Sequence, residues 1–171
     1  MKKYLKRNLP DWLFSAMKSI HRNYKLIKHN FHYAKIKFGL LLAGIYFTIF
    51  KKTYKNNGLI IHIPFDLTDF QFRGRFALHQ YEVEEAQYID KYLPKDAKVL
   101  ELGGCLGYVS CLINKKLINK TQQVTLEANP NLIDWIKKNR DENDCSFFVE
   151  NSIISKETKN VFYLTNCWRQ Y

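Results

Sequence analysis

The chain has 171 residues, enough for one domain with its own core plus an appendage, and an apolar share of 46% that is ordinary for a globular protein. Its formal charge of +11 would point to nucleic acid or acidic lipid if it sat on the functional domain. It does not: residues 1–58 hold 13 of the 27 Lys and Arg and one acid, Asp11, for a net of +12, while residues 59–171 hold 14 basic and 15 acidic side chains, for a net of −1.

A basic leader therefore precedes a nearly neutral domain. No basic patch interleaved with aromatics accompanies the glycine-rich motif of that domain, so no nucleic-acid partner is expected. Cys105, Cys111, Cys145 and Cys167 form no CxxC pair, and no His stands at zinc-finger spacing. They read as buried thiols of a reducing cytosol, with neither a metal site nor a disulfide framework. His21, His29, His32, His62 and His79 never come closer than i, i+3 and read as solvated or packed side chains.

In the leader, Leu13, Met17, Ile20, Tyr24, Ile27 and Phe31 fall at alternating steps of four and three, with Lys18, Arg22, Lys25 and Lys28 between them. That spacing predicts a basic amphipathic helix. It runs into 13 apolar residues, 38–50, bounded by Lys35 and Lys37 before and by Lys51, Lys52 and Lys55 after. At 1.5 Å per residue the run covers about 20 Å of a hydrocarbon core about 30 Å thick, which argues against an ordinary transmembrane span. The 37 residues ahead of it argue against a cleaved signal peptide. Two readings stay open for residues 1–58. One is attachment, with shallow insertion, to the anionic cytoplasmic surface of a membrane. The other is packing on the chain's own domain or on a partner.

Asn56-Asn57-Gly58 is a turn signal and marks the expected boundary between leader (1–58) and domain (59–171). Beyond it, residues 59–63 and 70–73 read as short strands separated by Pro64 and Asp66, which predicts an antiparallel hairpin. Residues 82–92 predict a helix with acids in its first turns, closed by Leu93-Pro94. Then the pattern alternates: strand 98–102, helix 106–117, strand 123–127, helix 131–139, strand 147–150. This rhythm predicts an α/β fold with a parallel sheet and crossover helices.

The chemistry concentrates in Val99-Leu100-Glu101-Leu102-Gly103-Gly104-Cys105-Leu106-Gly107-Tyr108, a strand that turns through glycines into a helix. Such a turn lets a ligand approach the backbone at the carboxyl end of a sheet. A dinucleotide site would want G-x-G-x-x-G, but counting from Gly103 puts Cys105 and Tyr108 at the second and third glycine positions. A P-loop ending in Gly-Lys-Ser/Thr is absent from the sequence. Glu101 just before the loop would repel a pyrophosphate and favour the ammonium and sulfonium of S-adenosylmethionine. Glu127, 20 residues after Gly107, ends the next strand, where a carboxylate accepts hydrogen bonds from both ribose hydroxyls.

With Tyr81-Glu82 opening a helix, Glu101-Leu102-Gly103-Gly104-Cys105-Leu106-Gly107-Tyr108-Val109-Ser110 and then Glu127-Ala128-Asn129-Pro130, the segment 59–155 resembles the FkbM-type methyltransferases, and Asn139 matches the family's usual asparagine. The resemblance implies an incomplete Rossmann-like methyltransferase domain behind the basic helical leader. It implies S-adenosyl-L-methionine as cofactor and O-methylation of a sugar or glycolipid hydroxyl as activity. Glu101, Gly103 and Gly107 would border the methionyl part, Glu127 the ribose, and Glu150, Asn151 and Ser152 the adenine. Tyr81, Glu82, Gly104, Cys105, Tyr108 and Ala128 complete the implied site.

The family continues past the third strand to an Asp-x-Glu-Gly-type motif and further strands, whereas this chain ends at Tyr171. No catalytic base is identified. The chain is expected to be marginally folded and a poor catalyst, with residues 161–164 as an improvised edge partner. The alternative to an enzyme is a non-catalytic cofactor-binding remnant or interaction module.

Overall fold

The computed structural model describes residues 11–156; Cys167, residues 161–164 and the side chain of Leu13 lie outside the described part. The chain divides into two compact units at Gly39 and Leu40. The first holds most of helix α1, which runs Asp11–Phe50. Its apolar positions Met17, Ile20, Tyr24, Ile27 and Phe31 are all exposed. The apolar run 38–50 is continuous with this helix, and Ser15–Phe50 is long and apolar enough to cross a membrane by length and composition. The run 38–50 is 13 residues long, and Phe31, Tyr33 and Ile36 add apolar positions to the same helix upstream of it. One long apolar N-terminal helix is thus able to associate with a membrane.

The second unit begins at Leu40, so Asn56-Asn57-Gly58, expected at the leader–domain boundary, lies inside it. It forms the turn between β1 (Thr53–Asn56) and β2 (Leu59–His62), which pair antiparallel. Asn57 and Gly58 have φ of 49° and 74°, the left-handed pair whose twist suits a two-residue hairpin loop. The second strand expected at 70–73 is instead the start of helix α2, Phe70–Ala77. Asp69 Oδ1 accepts the Phe72 N–H at 2.7 Å and caps the first turn. Phe72, Arg73 and Phe76 are then all buried, at spacings of one and three that a helix face allows and an alternating strand does not.

Helix α2 crosses α1 at a notch without side chains. A Cβ on Gly44 would stand 1.7 Å from Phe70 O, and one on Gly74 would stand 2.1 Å from Leu40 O. Beside the notch Phe76 is the hub of an aromatic core, its ring 6.2 Å from Phe47, 5.1 Å from Tyr54, 5.3 Å from Phe72 and 4.3 Å from Tyr81. Burying each such side chain contributes about 1.5–3 kcal/mol.

Helix α3 (Val83–Tyr92) leads into β3 (Val99–Leu102), α4 (Tyr108–Lys116), β4 (Gln123–Leu126), α5 (Pro130–Glu142) and β5 (Phe148–Glu150). These elements match the expected ones to within a turn at their ends. The strands are parallel in the order β3-β4-β5. The unit is mixed α/β, compatible with part of a Rossmann-like fold.

The two sheet faces differ. Gln123 and Thr125 are buried, and α4 lies over them: Gln123 Nε2 donates to Ser110 O at 3.0 Å, and Asn114 Nδ2 to Gln123 Oε1 at 3.0 Å. On the other face Leu100 is 57% exposed, Leu102 61% and Phe148 61%.

Helix α5 also closes the outer edge of β2. Asn139 Oδ1 accepts the His62 N–H at 2.7 Å, and its Nδ2 donates to His62 O at 3.0 Å and to Leu106 O at 2.8 Å. One turn on, Asn143 repeats the arrangement on Ile60 N and O, both at 2.8 Å. Two side-chain amides thus stand where a third strand would.

Candidate functional site

The site is built at the carboxyl ends of β3 and β4, where the chain turns through the glycine loop. Gly103 and Gly107 have φ of 85° and 78°, which L side chains rarely adopt. The N–H groups of Gly103 and Gly104 donate to Leu126 O at 2.8 and 3.1 Å, seating the loop on β4. A Cβ on Gly104 would come 2.5 Å from Thr125 Cγ2, so the loop sits flush on the sheet. Gly107 then caps α4.

Glu127 ties the loops together. It is 8% exposed; Oε2 accepts the Cys105 N–H at 2.8 Å and Oε1 the Asn129 N–H at 2.7 Å. A carboxylate has about four lone-pair positions, so two remain for an incoming donor. Asn151 Nδ2 donates to Glu127 O at 2.7 Å and to Ala128 O at 3.1 Å, fixing the loop after β4 from the end of β5. The Ala128 carbonyl is thereby engaged, and Asn129 caps α5 through its own Oδ1.

From the other side comes the α3 entrance. Tyr81 Oη donates to Cys105 Sγ at 3.0 Å. Glu82 and Cys105 both hold left-handed backbone, φ 48° and 49°, without being glycine. Such conformations are uncommon, persist only when the surroundings enforce them, and cluster at functional sites.

Burial pushes the Glu82 carboxyl up to about 7, assisted by Glu85 and Glu101. Burial also raises the Glu101 carboxyl, against the hydrogen bonds that it accepts, among them Thr125 Oγ1 at 2.8 Å. The Cys105 thiol is pushed up to about 12, again by burial first, with Glu82 and Glu127 adding. Burial thus leaves Glu82 and Glu101 poorly hydrated, an environment that favours a cationic neighbour over an anionic one.

A cleft of about 820 Å³ opens beside Glu82 and Cys105, lined also by Arg75, Tyr81, Glu84 and Glu85, and its lining does not include Glu101, Glu127 or the loop glycines. A larger groove of about 1010 Å³ runs between α3 and α4, but of the motif residues it touches only Tyr108, so size alone does not locate the site.

The structure therefore brings together Tyr81, Glu82, Glu101, Gly103, Gly104, Cys105, Gly107, Glu127, Ala128 and Asn151. Tyr108 stands apart: its hydroxyl accepts from Asn57 Nδ2 at 2.9 Å and Asn56 Nδ2 at 3.1 Å, and its ring packs 5.7 Å from Tyr54. It anchors the hairpin turn to α4. Glu101 points onto the face under α4, where Thr125 holds it. Among the described residues no group of three or more His, Cys, Asp or Glu could hold a metal ion. Cys111 and Cys145 are buried free thiols, and Cys105 is partly buried.

Sequence reasoning missed Asn129 and Thr125 as supports of Glu127 and Glu101. Asn129 could have been found, since Asn followed by Pro at a helix start is a cap signal. Comparison with family models, with curated proteins and with solved structures returns no match for this chain.

Proposed function

We propose that the chain binds S-adenosylmethionine at the glycine loop and donates its methyl group to an oxygen, in keeping with the FkbM-type resemblance and a sugar or glycolipid hydroxyl as acceptor. The observation that carries this reading is Glu127. It directly follows β4, is preset by two backbone N–H groups, and keeps two acceptor positions for the hydroxyls of a ribose. The acidic surroundings from Glu82 and Glu101 support a ligand with a positive charge and disfavour a pyrophosphate.

When bound, the cofactor would supply an electrophilic methyl on a sulfonium. The chain's own residues would orient it: the glycine loop by close backbone approach, Glu127 by the ribose, and the strained Glu82–Cys105 corner by its shape. The proposed placement is cytoplasmic, at the inner face of a membrane, from the long apolar helix.

Calorimetry of the full chain with S-adenosylhomocysteine, S-adenosylmethionine and NAD tests this. Binding of the first two is expected, with a loss of about 100-fold in Glu127→Ala, whose two charged hydrogen bonds to ligand are gone. NAD binding without a response to S-adenosylhomocysteine would overturn it. The open apolar face of the sheet favours a second reading, a module that binds cofactor and pairs with another surface without turnover. Methyl transfer to a panel of glycans separates the two.

A further inference from the structure

The stretch of α1 from Leu40 to Phe50 has two faces with different tasks. One face is spent on the domain. Gly44 and Phe47 are buried, Leu40 meets the backbone of Gly74, and Phe47 packs 6.4 Å from Phe65 and 6.2 Å from Phe76. The opposite face carries Leu42, Tyr46, Ile49 and Phe50, all exposed, with Ile49 at 66% and Phe50 at 68%. Steps of four, three and one align these residues along one stripe of a helix.

The stripe ends in cations. Lys51, Lys52 and Lys55 are exposed immediately after it, and a groove of about 390 Å³ is lined by Tyr46, Phe50, Lys51, Lys52 and Lys55 among others. Aromatic rings beside lysines at the end of an apolar stripe match the layering of a bilayer surface, with rings at headgroup level and ammonium groups on lipid phosphates.

We propose that residues 40–55 are a foot that lies in the plane of an anionic membrane and does not cross it. A span through these residues would take α2 into the hydrocarbon, because α2 is locked to α1 backbone against backbone. That helix brings Gln71, the buried Arg73 and Arg75, with Asp69 at its cap, and such groups are excluded from hydrocarbon unless they line water or a partner. Lying flat, the foot buries Leu42, Tyr46, Ile49 and Phe50 among acyl chains and leaves α2 on the aqueous side. The proposal rests on the membrane placement above but not on methyl transfer.

The experiment uses the full chain with tags at both ends, floated with vesicles of phosphatidylcholine alone or with phosphatidylserine added. Recovery with vesicles is expected only when phosphatidylserine is present, with both tags open to external protease. Ile49→Asp with Phe50→Asp should lower partitioning about tenfold or more, and each of Lys51→Ala, Lys52→Ala and Lys55→Ala about fivefold. Thermal melting of the variants should match the parent, since the substituted side chains are exposed; the lysine variants decide the matter if the aspartates disturb folding.

A protected N-terminal tag would show a span and overturn the in-plane foot while leaving the membrane placement intact. No recovery with either vesicle would overturn both. A lipid-free dimer abolished by Ile49→Asp would assign the stripe to a second copy of the chain and overturn the foot.

Discussion

The covered face of the parallel sheet sets buried polar side chains among apolar ones, whereas the open face is largely apolar. Under α4 lie Glu101, Gln123 and Thr125, tied to Ser110 and Asn114 by directed hydrogen bonds, while Leu100, Leu102, Val124, Leu126 and Phe148 share the face that carries no helix among the described residues. A parallel sheet is normally buried on both sides. The difference teaches that cover and apolar character are separate properties here. The covered face is specified by geometry, whereas the open face is specified only by its appetite for a partner.

The largest test is on the covered face. Asn114 donates through Nδ2 to Lys120 O at 2.7 Å and to Gln123 Oε1, and its Oδ1 accepts the Ser146 N–H at 3.0 Å. Asn114→Ala orphans several of these groups in a buried place and should cost about 3–5 kcal/mol in urea unfolding. A cost below about 1 kcal/mol would mean that the polar face is no more demanding than the open one.

A smaller effect should come from charge. An acid whose folded pKa is raised gives stability that is complete below its unfolded value and is lost as pH climbs through the folded value. Burial raises both Glu82, to about 7, and Glu101. Melting temperature should therefore fall between about pH 4.5 and pH 7. Glu82→Gln should flatten that fall, and Glu101→Gln should raise stability at neutral pH with the gain vanishing toward pH 4. An unchanged profile in both variants would show the two carboxyls to be well hydrated.

The smallest expected effect is on the open face. Leu102→Thr and Phe148→Thr should shift stability by less than about 0.5 kcal/mol, while lowering the binding of a hydrophobic dye. A loss comparable with that of Asn114→Ala would show that the face is covered in solution.

Where the chain alternates strand and helix, the order of elements from β3 to β5 was legible, because each element carries its own period and its own stops. The corner around α2 was not. Phe70-Gln71-Phe72-Arg73 alternates as a strand does, and the cap from Asp69 and the burial of Arg73 next to Phe72 disclose the helix. Strand β1 was hidden among the lysines that follow the apolar run, although an Asn-Gly pair flanked by Tyr54 and Ile60-Ile61 is a strong hairpin signal.

At the site, the glycines and Glu127 stood out by spacing. The preset of Glu127 by Cys105 N and Asn129 N, and the turn of Tyr108 toward Asn56 and Asn57, depend on contacts between distant segments and have no local signature. Asn139 was visible only as a match to a family habit. Its task as an edge cap for β2 emerges from partners 77 residues away.

That distance sets a clock during synthesis. The hairpin of β1 and β2 closes across two residues and forms in microseconds, long before α5 leaves the ribosome. At about 5–20 residues per second, the 77 residues between His62 and Asn139 take about 4–15 s to be made. Throughout that interval the Ile60 and His62 backbone groups face outward without their amide caps, on a strand that reads Leu-Ile-Ile-His. A nascent chain is then most open to pairing with a neighbour on the same message, and slowing translation before Asn139 should raise the share lost to aggregates.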